Sequence, residues 1–436
     1  MPEIPDPEEL VELPPAAASP PRAEKPRDPY AAFRIPEYRF YAFGYLATNL
    51  GANMQSVAVG WEIYERTGSA MALGWVGLIQ AAPIMLLALL SGHAADRFDR
   101  RRIILCGQLL MALCSVGLAV NSHLRGPVQW MYLMLLLGAV GRAFFWPASQ
   151  ALLPQLVSND LFGNAVTWRS TGFQISCVVG PALGGFMIAW QHTTMWVYLV
   201  DASMTLVNCY CVSTLTARPV TQSRESPSLR TFLAGFRYVR DNKLILAAIT
   251  LDLFAVLLGG ATALLPIYAK DILRAGPTGL GWLRAAPAVG AVCMAVTLTH
   301  LPPMQRAGRA LLLAVTVFGL ATIVFGFSTS FWLSLLMLAG TGAADNISVV
   351  IRHNLVQLRT PNEMRGRVSA VNSVFISGSN ELGEFESGTV ARFFGPVASV
   401  VSGGIGTILV VALVASIWPE IRQLGKLHEE QSRTVP

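Results

Sequence analysis

About twelve apolar runs, each close to the ~20 residues that carry an α-helix across a bilayer, constrain this chain more than any other feature. They begin near Tyr38, Leu73, Ile103, Trp130, Ala165, Thr194, Leu244, Gly279, Arg309, Phe331, Val368 and Pro396. Backbone facing hydrocarbon must satisfy its own N–H and C=O groups, and runs of this length exceed barrel strands, so the spans are helices. The expected fold class is an all-α polytopic membrane protein of twelve transmembrane helices. With 53% of 436 residues hydrophobic and 13% charged, there is too little polar surface to coat a soluble globule, and the lipid bilayer is the expected partner of most of the chain.

The 32 Lys and Arg set the orientation. With both termini cytoplasmic, 24 fall in cytoplasmic segments, 5 in external ones (Arg66, Arg125, Lys270, Arg274, Arg392) and 3 within spans, as the positive-inside rule requires. The net charge of +6 is thus explained by topology, and basic loops divided among many turns do not suit a nucleic-acid partner. The predicted location is the cell inner membrane. The six cysteines all fall in predicted spans with no C-x-x-C pair or neighbouring histidines, so neither a metal site nor a cofactor is expected. Residues 1–36 hold ten prolines and several acids, the composition of a disordered cytoplasmic tail rather than a signal peptide.

The chain repeats itself. Asn159-Asp160-Leu161-x-Gly163 returns as Asn362-Glu363-Met364-x-Gly366, and Ser176-x-x-x-Gly180-x-x-x-x-Gly185 as Ser379-x-x-x-Gly383-x-x-x-x-Gly388, both at an offset of 203 residues. Gln80-Ala81-Ala82-Pro83 matches Arg284-Ala285-Ala286-Pro287 at 204. Equivalent pieces thus occupy equivalent spans of two parallel six-helix halves, 37–217 and 244–420. They are joined by a cytoplasmic linker, 218–243, and followed by a tail, 421–436. In the linker Leu229, Phe232, Leu233, Phe236 and Val239 fall at helical spacing, which fits a helix on the membrane surface or a solvated one.

Between the second and third spans, Gly92 to Arg102 reads G-H-A-A-D-R-F-D-R-R-R. This loop and the two halves resemble the major facilitator superfamily, over roughly residues 38 to 420. The family pattern G-x-x-x-D-R-x-G-R-R/K is met by Gly92, Asp96, Arg97, Arg100 and Arg101, with Asp99 in place of the second glycine. The stretch near His300 to Arg309 lacks the aspartate. The resemblance implies a latch, in which Asp96 faces a helix N-terminus or an arginine when the cytoplasmic side closes; a topology signal alone would explain the arginines but not the aspartate. In the fifth span Ser176-x-x-x-Gly180-Pro181-x-x-Gly184-Gly185 resembles the antiporter signature of this superfamily, with Ser176 where glycine is usual. Small residues there permit close helix contact and Pro181 a bend, so the segment serves gating or plain packing. More narrowly, Gln55-x-Val57-Ala58-Val59-Gly60-Trp61 with Thr67-Gly68-Ser69, Arg142-Ala143-Phe144-Phe145 and Asn380-Glu381-Leu382-Gly383-Glu384-Phe385 resemble the branch containing enterobactin and macrolide exporters.

Ionisable residues at bilayer depth cost ~2.5–3.5 kcal/mol or more, so each needs a partner, a cavity or a task. Arg142 and Asp345 lie 203 apart, at equivalent depth in the fourth and tenth spans, and stand as a charge relay or a static tie across the halves. Asn49 and Asp252 are likewise 203 apart, so Asp252 has a neutral counterpart. Glu381 and Glu384 share a helix face that Glu386 does not. Burial favours the neutral form of a carboxylate, as a proton carrier requires, and a nearby arginine favours the charged one. Asp252, Glu381 and Glu384, with Asp345 and Arg142, are therefore proton-coupling candidates; the competing reading of each is a structural ion pair or a solvated mouth residue. Glu62, Asp201 and Arg284 fall near external ends, as rim or structural groups. Asn49, Asn53, Gln55, Trp168, Gln174, Asn372 and Phe375 are candidates to line a cavity for a bulky amphiphile. Trp61, Trp130, Trp196 and Trp332, near span ends, suit interfacial anchors.

The resulting expectation is a secondary exporter of a bulky small molecule such as a siderophore or macrolide, working by alternating access as an antiporter of protons, or of sodium in their place. A lysolipid flippase or an importer is the alternative on the same fold. An enzyme is disfavoured by the lack of H-E-x-x-H, G-x-S-x-G or a phosphate loop, and a receptor by the short loops.

Overall fold

The computed structural model describes residues 28–216, 229–302 and 304–425. Expectations for tail residues 1–27 and 426–436 and linker residues 217–228 lie outside the described residues, as do the side chains of Leu229 and Phe232. Among the described residues every regular element is helical. The first half comprises α1 (Pro36–Thr67), α2 (Ala70–Arg97), α3 (Arg100–His123), α4 (Val128–Leu156), α5 (Asn159–Gln191) and α6 (Met195–Ser213). A linker helix (Leu229–Asp241) leads to α7 (Lys243–Leu258), α8 (Gly276–His300), α9 (Ala307–Phe327), α10 (Phe331–Arg359), α11 (Asn362–Phe394) and α12 (Pro396–Ile417). After Leu258, α7 breaks at Gly259 and Gly260 and continues in short turns, so this span as a whole runs Lys243–Ile272.

Local chemistry explains several boundaries. Asp99, which departs from the family pattern, caps α3: its Oδ1 accepts from the backbone N–H of Arg101 at 3.0 Å, satisfying an orphan donor of the first turn. Gly68 ends α1 with φ of 59°, a left-handed conformation that glycine adopts without a Cβ penalty. Among the described residues ten helices are long and apolar enough to span a bilayer. The exceptions to the expected twelve apolar runs are α1 and α11, of 32 and 33 residues, long enough to cross but more polar. Both carry polar side chains that turn toward the protein interior, where they need no lipid solvation.

The packing repeats between halves. In the first, α1 packs on α5 and α6, α2 on α4, and α3 on α4 and α6; in the second, α7 packs on α11 and α12, α8 on α10, and α9 on α10 and α12. The halves meet along two equivalent seams, α2 on α11 and α5 on α8. Glycine sets these approaches: a Cβ on Gly388 would lie 2.6 Å from the Gly74 Cα, and one on Gly185 2.4 Å from the Pro277 carbonyl oxygen.

The apolar core shows how the halves sit. At the far end of the bundle, opposite the termini, one cluster runs through both halves and includes Met54, Tyr64, Leu73, Leu264, Tyr268, Leu283 and Phe325. At the terminal end, where α1 begins and α12 ends, it is replaced by separate clusters: Tyr38, Ile104, Phe145 and Leu153 in the first half, Leu251, Leu311, Ile351 and Val414 in the second. The Tyr64 hydroxyl also donates to Asp271 across the far end. Among the described residues, then, buried apolar packing is closed across the halves there and parted between them at the terminal end.

The tail expectation runs too far in its last residues. Ala31–Arg34 forms a 3-10 turn fixed to the start of α5: Tyr30 stacks on Trp168 at 5.4 Å, Phe33 meets the same ring edge-on at 5.0 Å, and Pro29 accepts from Asn164 and Trp168. The linker helix lies against α11 and α7 rather than alone on a surface. Its Val239 is buried with Ile245, Ile249 and Val371, and Phe236 stacks on Phe375 at 6.4 Å. Trp130, Trp196 and Trp332 are exposed, as interfacial anchors would be, but Trp61 is buried in the far-end core.

A Cβ on Gly290 would sit 1.8 Å from the Ala339 carbonyl oxygen, whereas one on Gly163 meets nothing within 4 Å. Gly290→Ala must therefore push α8 from α10, a strain of about 1–3 kcal/mol, and lowers the thermal unfolding midpoint of detergent-solubilised protein. Gly163→Ala leaves it unchanged or raises it.

Candidate functional site

A cavity of about 280 Å³ lies between the halves. Its wall comes from α1, α2, α3, α4, α5, α8, α11 and the turns after α7, and four charged side chains reach it: Arg142 on α4, Arg284 on α8, and Glu381 and Glu384 on α11. Gly77 on α2 makes room for this, since a Cβ there would come within 2.7 Å of the Glu384 Cβ and 3.1 Å of its Oε2. The break in α7 brings Ala263 and Pro266 to the wall, and aromatic rings of Phe145, Trp146 and Phe173 supply apolar surface.

Arg142 donates to Gln80 Oε1 at 3.3 Å. Among the described residues, neither cavity arginine forms an ion pair with Glu381 or Glu384, although both act on Glu381 electrostatically. Opposite charges are thus held in one low-dielectric space without being tied together, where their interaction exceeds that in water. Such an arrangement can change partners when the walls move.

Of the expected cavity residues, Asn49, Asn53 and Gln55 reach the wall. Asn53 donates to the Asn49 carbonyl at 2.9 Å and Gln55 to Ser115 Oγ at 2.8 Å. The other four lie outside the cavity. Trp168 is taken by the N-terminal segment, its Nε1 donating to Pro29 at 2.8 Å, and Phe375 is taken by the linker helix. Gln174 follows Phe173, which does line the cavity, and neighbours on a helix point about 100° apart. Asn372 lies nine residues before Glu381, about two and a half turns, and so on the opposite face.

Arg142 and Asp345 are not brought together. Asp345 belongs to a cluster inside the second half, in which Asp252 on α7 and Arg352 on α10 form a buried ion pair, Arg352 Nε donates to Ser348 Oγ at 3.2 Å, and Asp345 acts on both charged partners. α10 runs on to Arg359 and keeps Arg352 buried. Arg284, expected at a rim, lines the cavity. Asp201 is buried, accepting from Ser115 Oγ at 2.6 Å. Glu62 is structural: it pairs with Arg66 and accepts from Thr194 at 2.5 Å and Tyr198 at 2.8 Å. The seven-residue spacing from Asp345 to Arg352, two helical turns, is the signal that could have found Arg352.

The two motifs for which gating is an expectation sit at opposite ends. Gly180 and Gly184 lie against α1, where added Cβ atoms would meet the Asn53 Cβ at 2.6 Å and the Met54 carbonyl at 2.9 Å. The Pro181 carbonyl faces Gly281 on α8. The antiporter-like segment is thus part of the closed far-end seam. Gly92, Asp96 and Arg97 close α2 at the parted end. There Arg100 donates to the Ala95 carbonyl at 3.1 Å, Arg101 to that of Ser213, and Asp96 forms no ion pair or hydrogen bond among the described residues.

Two parallel helical halves around a charged central cavity define a polytopic transporter of the major facilitator fold. The chain belongs to the family described as transmembrane secretion effector, whose model matches residues 27–434. It is 25% identical over 390 residues to the enterobactin exporter EntS of Escherichia coli O1:K1 / APEC, covering 89% of this chain and 93% of that protein, with the same figures for EntS of Shigella boydii serotype 18. Among solved structures it is similar to the nucleoside transporter NupG, with a TM-score of 0.67, 12% identity, and coverage of 88% of this chain and 99% of that one; that likeness carries the fold alone.

Breaking the Asp252–Arg352 pair leaves an uncompensated buried charge, worth about 3–5 kcal/mol. Arg352→Gln is expected to lower the detergent unfolding midpoint sharply, and Asp252→Asn with Arg352→Gln to recover most of the loss. A double variant no more stable than the single one would contradict the pairing.

Proposed function

We propose that this chain is a proton-coupled exporter of a bulky small molecule, acting by alternating access in the cell inner membrane with both termini cytoplasmic. The observation that carries the reading is the unpaired set Arg142, Arg284, Glu381 and Glu384 in a cavity walled by both halves. Glu381 and Glu384, three residues apart on one helix face, repel each other when both are charged, and a proton held by the pair relieves that repulsion. Substrate entering beside them competes with that proton, which is the linkage an antiporter needs. The Asp252–Arg352–Asp345 cluster holds α7 to α10 and supports the second half as it moves.

Orientation follows from the basic segments, and on it the parted end faces the cytoplasm, so this conformation is inward-open. The latch and the antiporter-like segment then have opposite states: Asp96 is disengaged where the halves are parted, while Gly180, Pro181 and Gly184 are engaged where they meet. Export is supported by the secretion-effector family and the EntS relatives. Enterobactin, which those relatives' name specifies, is the first cargo to test, with a macrolide and a fluorescent lysolipid beside it.

In proteoliposomes with an imposed pH gradient, the native chain is expected to move at least one of these cargoes against its gradient. Glu384→Gln should reduce that movement at least about tenfold, a loss of 1.4 kcal/mol or more in coupling, while exchange of cargo without a gradient persists. Movement indifferent to the pH gradient would overturn proton coupling, and loss in Asp252→Asn alone would move the proton to α7.

A further inference from the structure

Beside the main cavity lies a second, small void of about 20 Å³, bordered by Arg142, Asp201, Ser115, Gln55 and Gln80. Arg142, Gln55 and Gln80 also line the main cavity, so the two spaces share a wall. A polar void of this size holds one water when two to four polar groups surround it. Asp201 is the unexplained member. It is buried in α6, and its Oδ2 accepts from Ser115 Oγ at 2.6 Å, which in turn accepts from Gln55 Nε2 at 2.8 Å. From α1 the neighbouring position is Gly51, where a Cβ would lie 2.6 Å from Asp201 Oδ1. Glycine therefore leaves room for the carboxylate and brings no charge. Among the described residues the charged group within electrostatic range of Asp201 is Arg142, which also acts on Glu381 across the seam.

We propose that Asp201 is a second proton-carrying residue of the transport cycle, reached through one water in the small void, with Arg142 shared between Asp201 in the first half and Glu381 in the second. A proton passes from cavity water to the void water and on to the Asp201 carboxylate, and returns by the same route; no other bond changes. When Asp201 is charged it holds Arg142 on the first half's side. When it is protonated, Arg142 is released toward Glu381, so the charge state inside one half is felt by the other. This builds on the proposed antiport but adds a site on α6 that the Glu381–Glu384 pair does not require.

The test is Asp201→Asn, an isosteric change that keeps an acceptor for Ser115, read against Glu384→Gln in the same proteoliposomes. The expected result is normal cargo exchange at equal pH, a loss of at least about tenfold in gradient-driven transport, and a lower number of protons moved per cargo. Ser115→Ala, which removes the donor to Asp201 and the acceptor for Gln55 but keeps the carboxylate, should shift the pH profile of transport without abolishing coupling. Asp201→Asn with native proton stoichiometry and pH profile, beside an uncoupled Glu384→Gln, would overturn the role of Asp201 and leave the antiport reading standing. Should Asp201→Asn fail to fold, proton release on cargo binding to purified Gly51→Ala protein decides. Crowding the carboxylate there should change the number of protons released, and an unchanged number would overturn the proposal.

Discussion

A charge placed inside a bundle solvated by lipid must be answered inside the bundle, because no water outside the helices can do it. That constraint sorts the polar interior of this chain into three groups. Glu62 with Arg66 at the far end, and Asp252 with Arg352 in the second half, are answered by direct ion pairs. Asp201 is answered by a hydroxyl donor. Arg142, Arg284, Glu381 and Glu384 face the cavity with no ion pair to one another. The ion pairs hold helices together, whereas on the proposed mechanism the cavity group and Asp201 are where a cargo or proton enters the balance.

The seams decide how that balance turns into movement. The α2–α11 and α5–α8 contacts rest on glycine faces, where backbones touch with few side chains to disengage, so sliding or rocking there costs little interdigitation. Core packing is continuous across the halves at the far end and divided at the other. An equivalent closure at the terminal end would part the far-end cluster and bring Asp96 toward the second half. The cavity lies between these two zones, so on the proposed alternating access its charges would meet different neighbours in each state.

Much of the fold was legible because its signals are periodic: apolar runs of bilayer length, a repeat at a constant offset and a basic loop between spans. The exceptions are physical. The spans α1 and α11 fall short of apolar composition because they face the cavity. Arg352 looks like a loop residue until helix α10 is seen to continue beyond it. The site was legible by type more than by facing. Glu381, Glu384, Arg142, Asn49, Asn53 and Gln55 reach the cavity, but Trp168 and Phe375 are claimed by the N-terminal segment and the linker helix, whose docking no local pattern encodes. The 203-residue symmetry of Arg142 and Asp345 gives equal depth, not contact, because Arg142 reaches the central cavity while Asp345 lies beside Asp252 and Arg352 inside the second half.

The central claim is that the halves rock about the charged cavity, closing one end as the other opens. Spin-label distances test it most directly, in a background with the six cysteines replaced. One pair, Phe98→Cys with Leu301→Cys, reports the terminal end, and another, Leu124→Cys with Trp332→Cys, the far end; all four positions are exposed. The account predicts two populations at each end, with the terminal-end distance shortening as the far-end distance lengthens when pH or cargo is changed. A single unchanging distance at both ends, or both ends widening together, would contradict it.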